Sequence, residues 1–202
     1  MGLRYSIDLY YRIDLLEDVL SKIPNIAELE DSAMTTIELP NGSSINLPFT
    51  SESENYSVHF LRSQGISIGL DTLLIFTVDE LILDYVKACN FEDKIDWQAN
   101  CVPVGRIYLY VRAGYTYVEL SFGAATSQMS RLFLDSKAIQ DRFIEFMNST
   151  DSSLGIIDIG EDYDLLLTNP VKKLIHNLID LEIDADPYYD IDLLVAEYLN
   201  QI

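Results

Sequence analysis

The stretch Arg106–Phe122, RIYLYVRAGYTYVELSF, decides the fold. Before Ala113-Gly114 it alternates strictly. Ile107, Leu109 and Val111 share one side; Arg106, Tyr108, Tyr110 and Arg112 share the other. After the turn, Thr116, Val118, Leu120 and Phe122 oppose Tyr115, Tyr117, Glu119 and Ser121. A period of two in both runs predicts an antiparallel hairpin, because successive side chains of a strand point to opposite faces. One face is aliphatic and made for a core. The other is a Tyr/Arg surface.

The rest of the chain extends this hairpin into a sheet with helices. Thr35–Leu39 and Ser44–Phe49 flank Asn41-Gly42, the dipeptide that two-residue hairpin turns favour. Tyr5–Tyr11 alternates as a half-buried strand, with Tyr5, Ile7, Leu9 and Tyr11 facing away from Ser6, Asp8 and Tyr10. Thr72–Thr77 reads as a buried strand, and Tyr56–Leu61 and Ile66–Leu70 as strands around Ser63-Gln64-Gly65. Gly155–Ile159 and Asp164–Thr168 form another pair around Gly160-Glu161-Asp162.

Helical stripes recur between these strands. Leu16, Val19, Leu20 and Ile23 follow an Asp14/Glu17 capping box and stop at Pro24. Leu81, Ile82, Tyr85, Val86 and Cys89 follow a Thr77/Glu80 box. Helical periodicity returns over Thr126–Leu134 and Lys137–Met147. Two C-terminal amphipathic helices are expected. The first opens at Asn169-Pro170 with Val171, Leu174, Ile175, Leu178 and Ile179; the second opens at Asp186-Pro187 with Ile191, Leu194, Val195, Tyr198 and Leu199.

The expected class is α+β: a mostly antiparallel sheet with helices on one face, in a single domain over 1–202. The order β-α-β-β occurs twice, which raises an internal pseudo-repeat of 4–50 and 72–123 at an offset of 66 residues. Residues 151–202 form an acidic, helical closing part.

Composition narrows the function classes. The chain has 202 residues, 49% hydrophobic and 23% charged, an ordinary globular balance that excludes disordered and fibrous classes. It carries 13 basic and 33 acidic residues, a net charge of −20. Such a field repels double-stranded nucleic acid and anionic membranes, so neither is an expected partner. The charge is uneven. Residues 101–150 hold 5 basic and 4 acidic side chains; residues 151–202 hold 2 and 12.

Motifs for familiar chemistry do not occur. There is no Gly-x-x-x-x-Gly-Lys-Ser/Thr, Gly-x-Gly-x-x-Gly or Gly-x-Ser-x-Gly, and no cofactor is implied. His59 and His176 are the only histidines, Cys89 and Cys101 the only cysteines, which argues against a four-ligand zinc site or a disulfide framework. Reduced thiols, an N-terminus without a signal-type apolar region and the lack of a ~20-residue apolar run together suggest a cytoplasmic protein.

Two candidate sites remain. Asp158, Glu161, Asp162 and Asp164 crowd a short turn, and hard cations take several carboxylate oxygens at close range. The plain alternative is a solvated acidic loop, since EF-hand spacing is not met. The second candidate is an interaction surface of Arg106, Tyr108, Tyr110, Arg112, Tyr115 and Tyr117. Tyr and Arg are enriched where partners meet and also stack on single-stranded bases. Its plain alternative is a wet or helix-covered sheet face.

The leading expectation is a non-enzymatic interaction protein. A basic protein partner suits its charge, as for an immunity-type inhibitor of a basic toxin. A second copy of the chain suits its one near-neutral block, giving a homodimer. The alternatives are a divalent-metal-dependent enzyme using the acidic turn, and a small-molecule or single-stranded nucleic-acid binder using the Tyr/Arg face.

Overall fold

In the computed structural model, which describes residues 5–29, 34–51, 55–59, 67–160, 163–167, 174–176 and 190–201, the Arg106–Phe122 hairpin lies inside a large antiparallel sheet. Its arms are β9 (Ile107–Ala113) and β10 (Tyr117–Ala124), paired from Val118 on Ala113 to Ala124 on Ile107. The earlier strands are β1 (Ser6–Arg12), β2 (Ala27–Glu28), β3 (Thr35–Glu38), β4 (Ser44–Leu47), β5 (Thr50–Ser51), β6 (Asn55–Ser57), β7 (Ile68–Thr77) and β8 (Cys101–Pro103). The later ones are β11 (Leu154–Asp158), β12 (Tyr163–Leu166) and β13 (Leu174–His176). The sheet runs β13-β12-β11-β1-β10-β9-β7-β2, with β5 and β8 also on β7. A second sheet, β4-β3-β6, joins the antiparallel pair β3/β4 to a parallel β6. Gly42, with φ of 83°, supplies the left-handed turn residue between β3 and β4.

The chain is therefore α+β. Among the described residues there are five α-helices: α1 (Leu16–Lys22), α2 (Glu80–Ala88), α3 (Ser127–Asp135), α4 (Lys137–Thr150) and α5 (Ile191–Leu199). Helices α1 to α4 bury their stripes against one face of the main sheet. That core holds Ile7, Leu9 and Tyr11 of β1, Leu109 and Val111 of β9, and Leu120 and Phe122 of β10. Phe143 of α4 stands at its centre, with ring centroids 5.0 Å from Phe122 and 6.1 Å from Phe76. Helix α5 packs on the opposite face, where Ile191, Leu194 and Tyr198 cover Tyr10, Tyr117, Leu154, Ile156 and Leu166.

Several sequence expectations are corrected. Leu174–His176 is a strand pairing antiparallel with β12, not the middle of a helix. Strand pairing satisfies the backbone of β12's outer edge, which a helix there would leave open. The second C-terminal helix is present and starts behind Asp190. The signals at Asn169-Pro170 and Asp186-Pro187 lie outside the described residues. Helix α1 has no side-chain cap, because Ile13–Leu15 first make a 3-10 turn. Helix α2 is capped by Asp79 rather than Thr77: its carboxylate accepts from Ile82 N at 2.8 Å. Val58 and His59 have helical backbone instead of continuing a strand.

Over the two stretches compared for a repeat, the strands and α-helices run β1-α1-β2-β3-β4 and β7-α2-β8-β9-β10. The two hairpins are placed differently. β9/β10 bridges β7 and β1 within the main sheet, whereas β3/β4 builds the separate one.

Candidate functional site

Alternation puts Ser6, Asp8, Tyr10 and Arg12 of β1 on the sheet face away from the main core. The register extends that face to Tyr117, Glu119 and Ser121, to Tyr108, Tyr110 and Arg112, and to Gly69 and Asp71. On β11 and β12 it adds Leu154, Ile156, Asp158, Asp164 and Leu166. Among the described residues, the face is covered at its β1-β11-β12 end by α5 and left open at its β9-β7 end. Two features result.

The open end is a cleft of about 510 Å³ where β7 and β9 meet Thr50 and Ser51 of β5 and Tyr56 of β6. Tyr56, Tyr108 and Tyr110 bring three phenol rings to it, with Arg106, Asp71, Thr50, Ser51 and Ser67 among its polar lining. Its size falls within the usual range of ligand pockets. Arg106 Nη1 lies 3.0 Å from Asp71 Oδ2, so the cleft's own charges balance. Tyr110 lies over Gly69, where a Cβ would stand 3.4 Å from its ring, and remains 44% exposed. A rigid ring laid on glycine presents contact area with little rotamer entropy left to lose.

The structure thus divides the six residues singled out by sequence. Arg106, Tyr108 and Tyr110 meet in the cleft. Arg112 turns to Glu119, with Nη1 3.3 Å from Oε2, near enough for an ion pair though not aligned as a hydrogen bond. Tyr115 is exposed in the hairpin turn, outside the cleft lining. Tyr117 is 3% exposed and belongs to the cluster beneath α5. Tyr56 and Asp71 were not singled out by sequence. Asp71 shares the alternation of its strand, but nothing local marks Tyr56 as part of the cleft.

The covered end holds carboxylates. Asp8, Glu119 and Asp164 are all buried. Ser6 Oγ donates to Asp8 Oδ2 at 3.1 Å, Tyr10 OH to Glu119 Oε1 at 3.1 Å, and Tyr198 OH to Asp164 Oδ2 at 2.9 Å. Asp8 Oδ1 has no hydrogen-bond partner among the described residues. Burial raises the Asp8 pKa well above the ordinary carboxylate value, and the charges of Glu119 and Asp158 push it the same way; hydrogen bonds from Ser121 and Ser6 oppose this. Burial, then Glu119 and Asp8, likewise keep the Tyr10 phenol protonated well above its usual range. Sequence alternation placed Asp8 and Glu119 on their strands' outer faces without showing that they converge.

Of the four carboxylates suggested for a metal, Asp158 and Asp164 sit opposite each other in the β11/β12 register. Glu161 and Asp162 lie outside the described residues. Among the described residues no group of three His, Cys, Asp or Glu side chains is placed to hold a metal ion. His59 is exposed, and both cysteines are free thiols. Among the described residues no helix is long and apolar enough to cross a membrane. Compared with known proteins, the chain matches no family model, no curated protein and no solved structure.

Proposed function

We propose that this chain is a non-catalytic, cytoplasmic interaction protein that receives a segment of a basic protein partner in the tyrosine-lined cleft. The observation that carries the reading is the convergence of Tyr56, Tyr108, Tyr110 and Asp71 on one open cleft in a chain of net charge −20. Tyrosine faces attract cations, a carboxylate accepts from a guanidinium or ammonium, and the long-range field brings a basic partner in. Arg106 closes on Asp71 in the free protein. An incoming Arg or Lys would take its place on that carboxylate, so occupancy trades one ion pair for another. The free thiols support a reducing compartment.

Arg106 among three tyrosines also suits a planar anion such as a single-stranded base with its phosphate. The overall charge opposes that second reading. A photo-reactive phenylalanine analogue at position 110, with a control at exposed Leu193, distinguishes the two when the protein is irradiated in its producing cells. The expected result is a protein adduct formed from position 110 only, on a Lys/Arg-rich segment. It should disappear with Tyr108→Ser while the melting temperature stays nearly unchanged. A nucleic-acid adduct, or equal adducts from both positions, refutes the proposal.

A further inference from the structure

The chain's single tryptophan, Trp97, is not used by the core or by the cleft. It is 67% exposed, the largest exposure among the exposed large apolar side chains described. It sits in the connection between α2 and β8. Asn90 and Asn100 bracket this connection in left-handed backbone, with φ of 57° and 51°. Such conformations cost a non-glycine residue energy and persist where the surrounding structure imposes them.

The turn is braced. Asp96 and Cys101 exchange both backbone hydrogen bonds, at 2.9 and 3.1 Å. The Asp96 side chain accepts from Gln98 N at 2.8 Å and Ala99 N at 3.0 Å, and Val78 N donates to Asn100 O at 3.0 Å. Ile95 is buried and pins the segment, while every other residue from 91 to 100 is exposed. Trp97 is therefore held out by a fixed frame. A large ring on a preorganised turn gives up little freedom on binding, and tryptophan is prominent among residues that dominate interfaces.

Charge complementarity identifies the occupant. Glu92, Asp93 and Asp96 are exposed in the same segment against one cation, Lys94, in a chain of net charge −20. An indole face attracts ammonium and guanidinium groups more strongly than the other aromatic rings do. We infer that the Asn90–Asn100 turn is a docking knob for a Lys/Arg-rich segment of a partner protein, with Trp97 as anchor and Glu92, Asp93 and Asp96 as its charged rim. This surface shares no residue with the cleft lining and stands or falls separately from it.

The experiment uses the full chain and an octa-arginine peptide at 0.15 M NaCl. With one tryptophan in the sequence, its emission reports on this turn alone. Peptide binding is expected to shift that emission saturably. Trp97→Ala should weaken binding of a labelled peptide about two- to fivefold, the scale of an exposed cation–π contact. Trp97→Phe should retain part of the affinity, and Glu92→Gln with Asp93→Asn should also weaken binding. Removing two acids elsewhere, Asp14→Asn with Glu17→Gln, should leave affinity and emission shift nearly unchanged. The exposed ring makes Trp97→Ala neutral to folding, which an unchanged melting temperature verifies. The inference is overturned if the peptide does not bind, if it binds without changing Trp97 emission, or if Trp97→Ala binds as wild type does.

Discussion

Asp8→Asn should stabilise this protein at neutral and alkaline pH and change little in acid. Asp8 is 6% exposed, and its Oδ1 has no partner among the described residues. Burial raises its pKa, with Glu119 and Asp158 adding to the rise. The folded state therefore retains a proton that the unfolded chain releases near the ordinary aspartate value of about 3.9. Stability contributed by the protonated side chain is fully present below about pH 4. It is lost as pH climbs from there through the raised folded pKa, beyond which the native state carries a buried charge beside two others. Asparagine keeps the shape, removes the charge and offers an amide donor. Relief of a buried, incompletely bonded acceptor is worth about 1–3 kcal/mol. At about 2–4 °C per kcal/mol for a domain of this size, Tm should rise by roughly 2–12 °C. The assay is thermal unfolding of both proteins from pH 4 to 8.5, read as the difference in Tm at each pH. Asp84→Asn, at an exposed helix position, controls for general relief of negative charge. A variant less stable than wild type at pH 8, or a difference constant across the range, would refute the reasoning.

Asp79 should behave with the opposite sign. Burial raises its pKa, but hydrogen bonds from Ile82 N, Ser136 Oγ and Ala138 N outweigh that and hold it below the ordinary value. The same carboxylate caps α2 through Oδ1 and reaches the start of α4 through Oδ2, at 2.7 Å from Ser136 Oγ and 3.2 Å from Ala138 N. Asp79→Ala should cost about 1–2 kcal/mol in chemical unfolding at pH 7, as for a lost helix cap. The deficit should shrink as pH falls below about 4, where wild type begins to lose the charged cap; a deficit that grows in acid contradicts this assignment. With net charge −20, Tm should rise between low and moderate NaCl as repulsion is screened. Mg²⁺ or Ca²⁺ at matched ionic strength should do no more than NaCl, and a further rise lost in Asp164→Asn would mark cation binding at the β11–β12 end.

Local sequence determined the pieces whose pattern and burial agree over many residues. The alternation of Arg106–Phe122 became β9 and β10, Gly42 of Asn41-Gly42 became the left-handed residue of the β3–β4 turn, and the stripes after Thr126 and Ser136 became α3 and α4. Each rests on near neighbours, so no distant contact was needed to read it. Short apolar runs are different. Val171, Leu174, Ile175 and Leu178 fit a helical stripe, yet Leu174–His176 is strand because β12 supplies a backbone partner. Asp79 prevails over Thr77 as a cap partly because Ser136 and Ala138, more than fifty residues later, also donate to it. The candidate sites depend on the same long reach. Tyr108 and Tyr110 declare a tyrosine face, but the path of the chain through β5 and β6 makes that face a cleft by bringing Tyr56 and Ser51 to it. The docking of α5 buries Tyr117 on the same face. Alternation points Asp8, Glu119 and Asp164 out of their strands. Only the strand order β12-β11-β1-β10 gathers them, because hydrogen-bonded pairing between remote segments sets which outward side chains become neighbours.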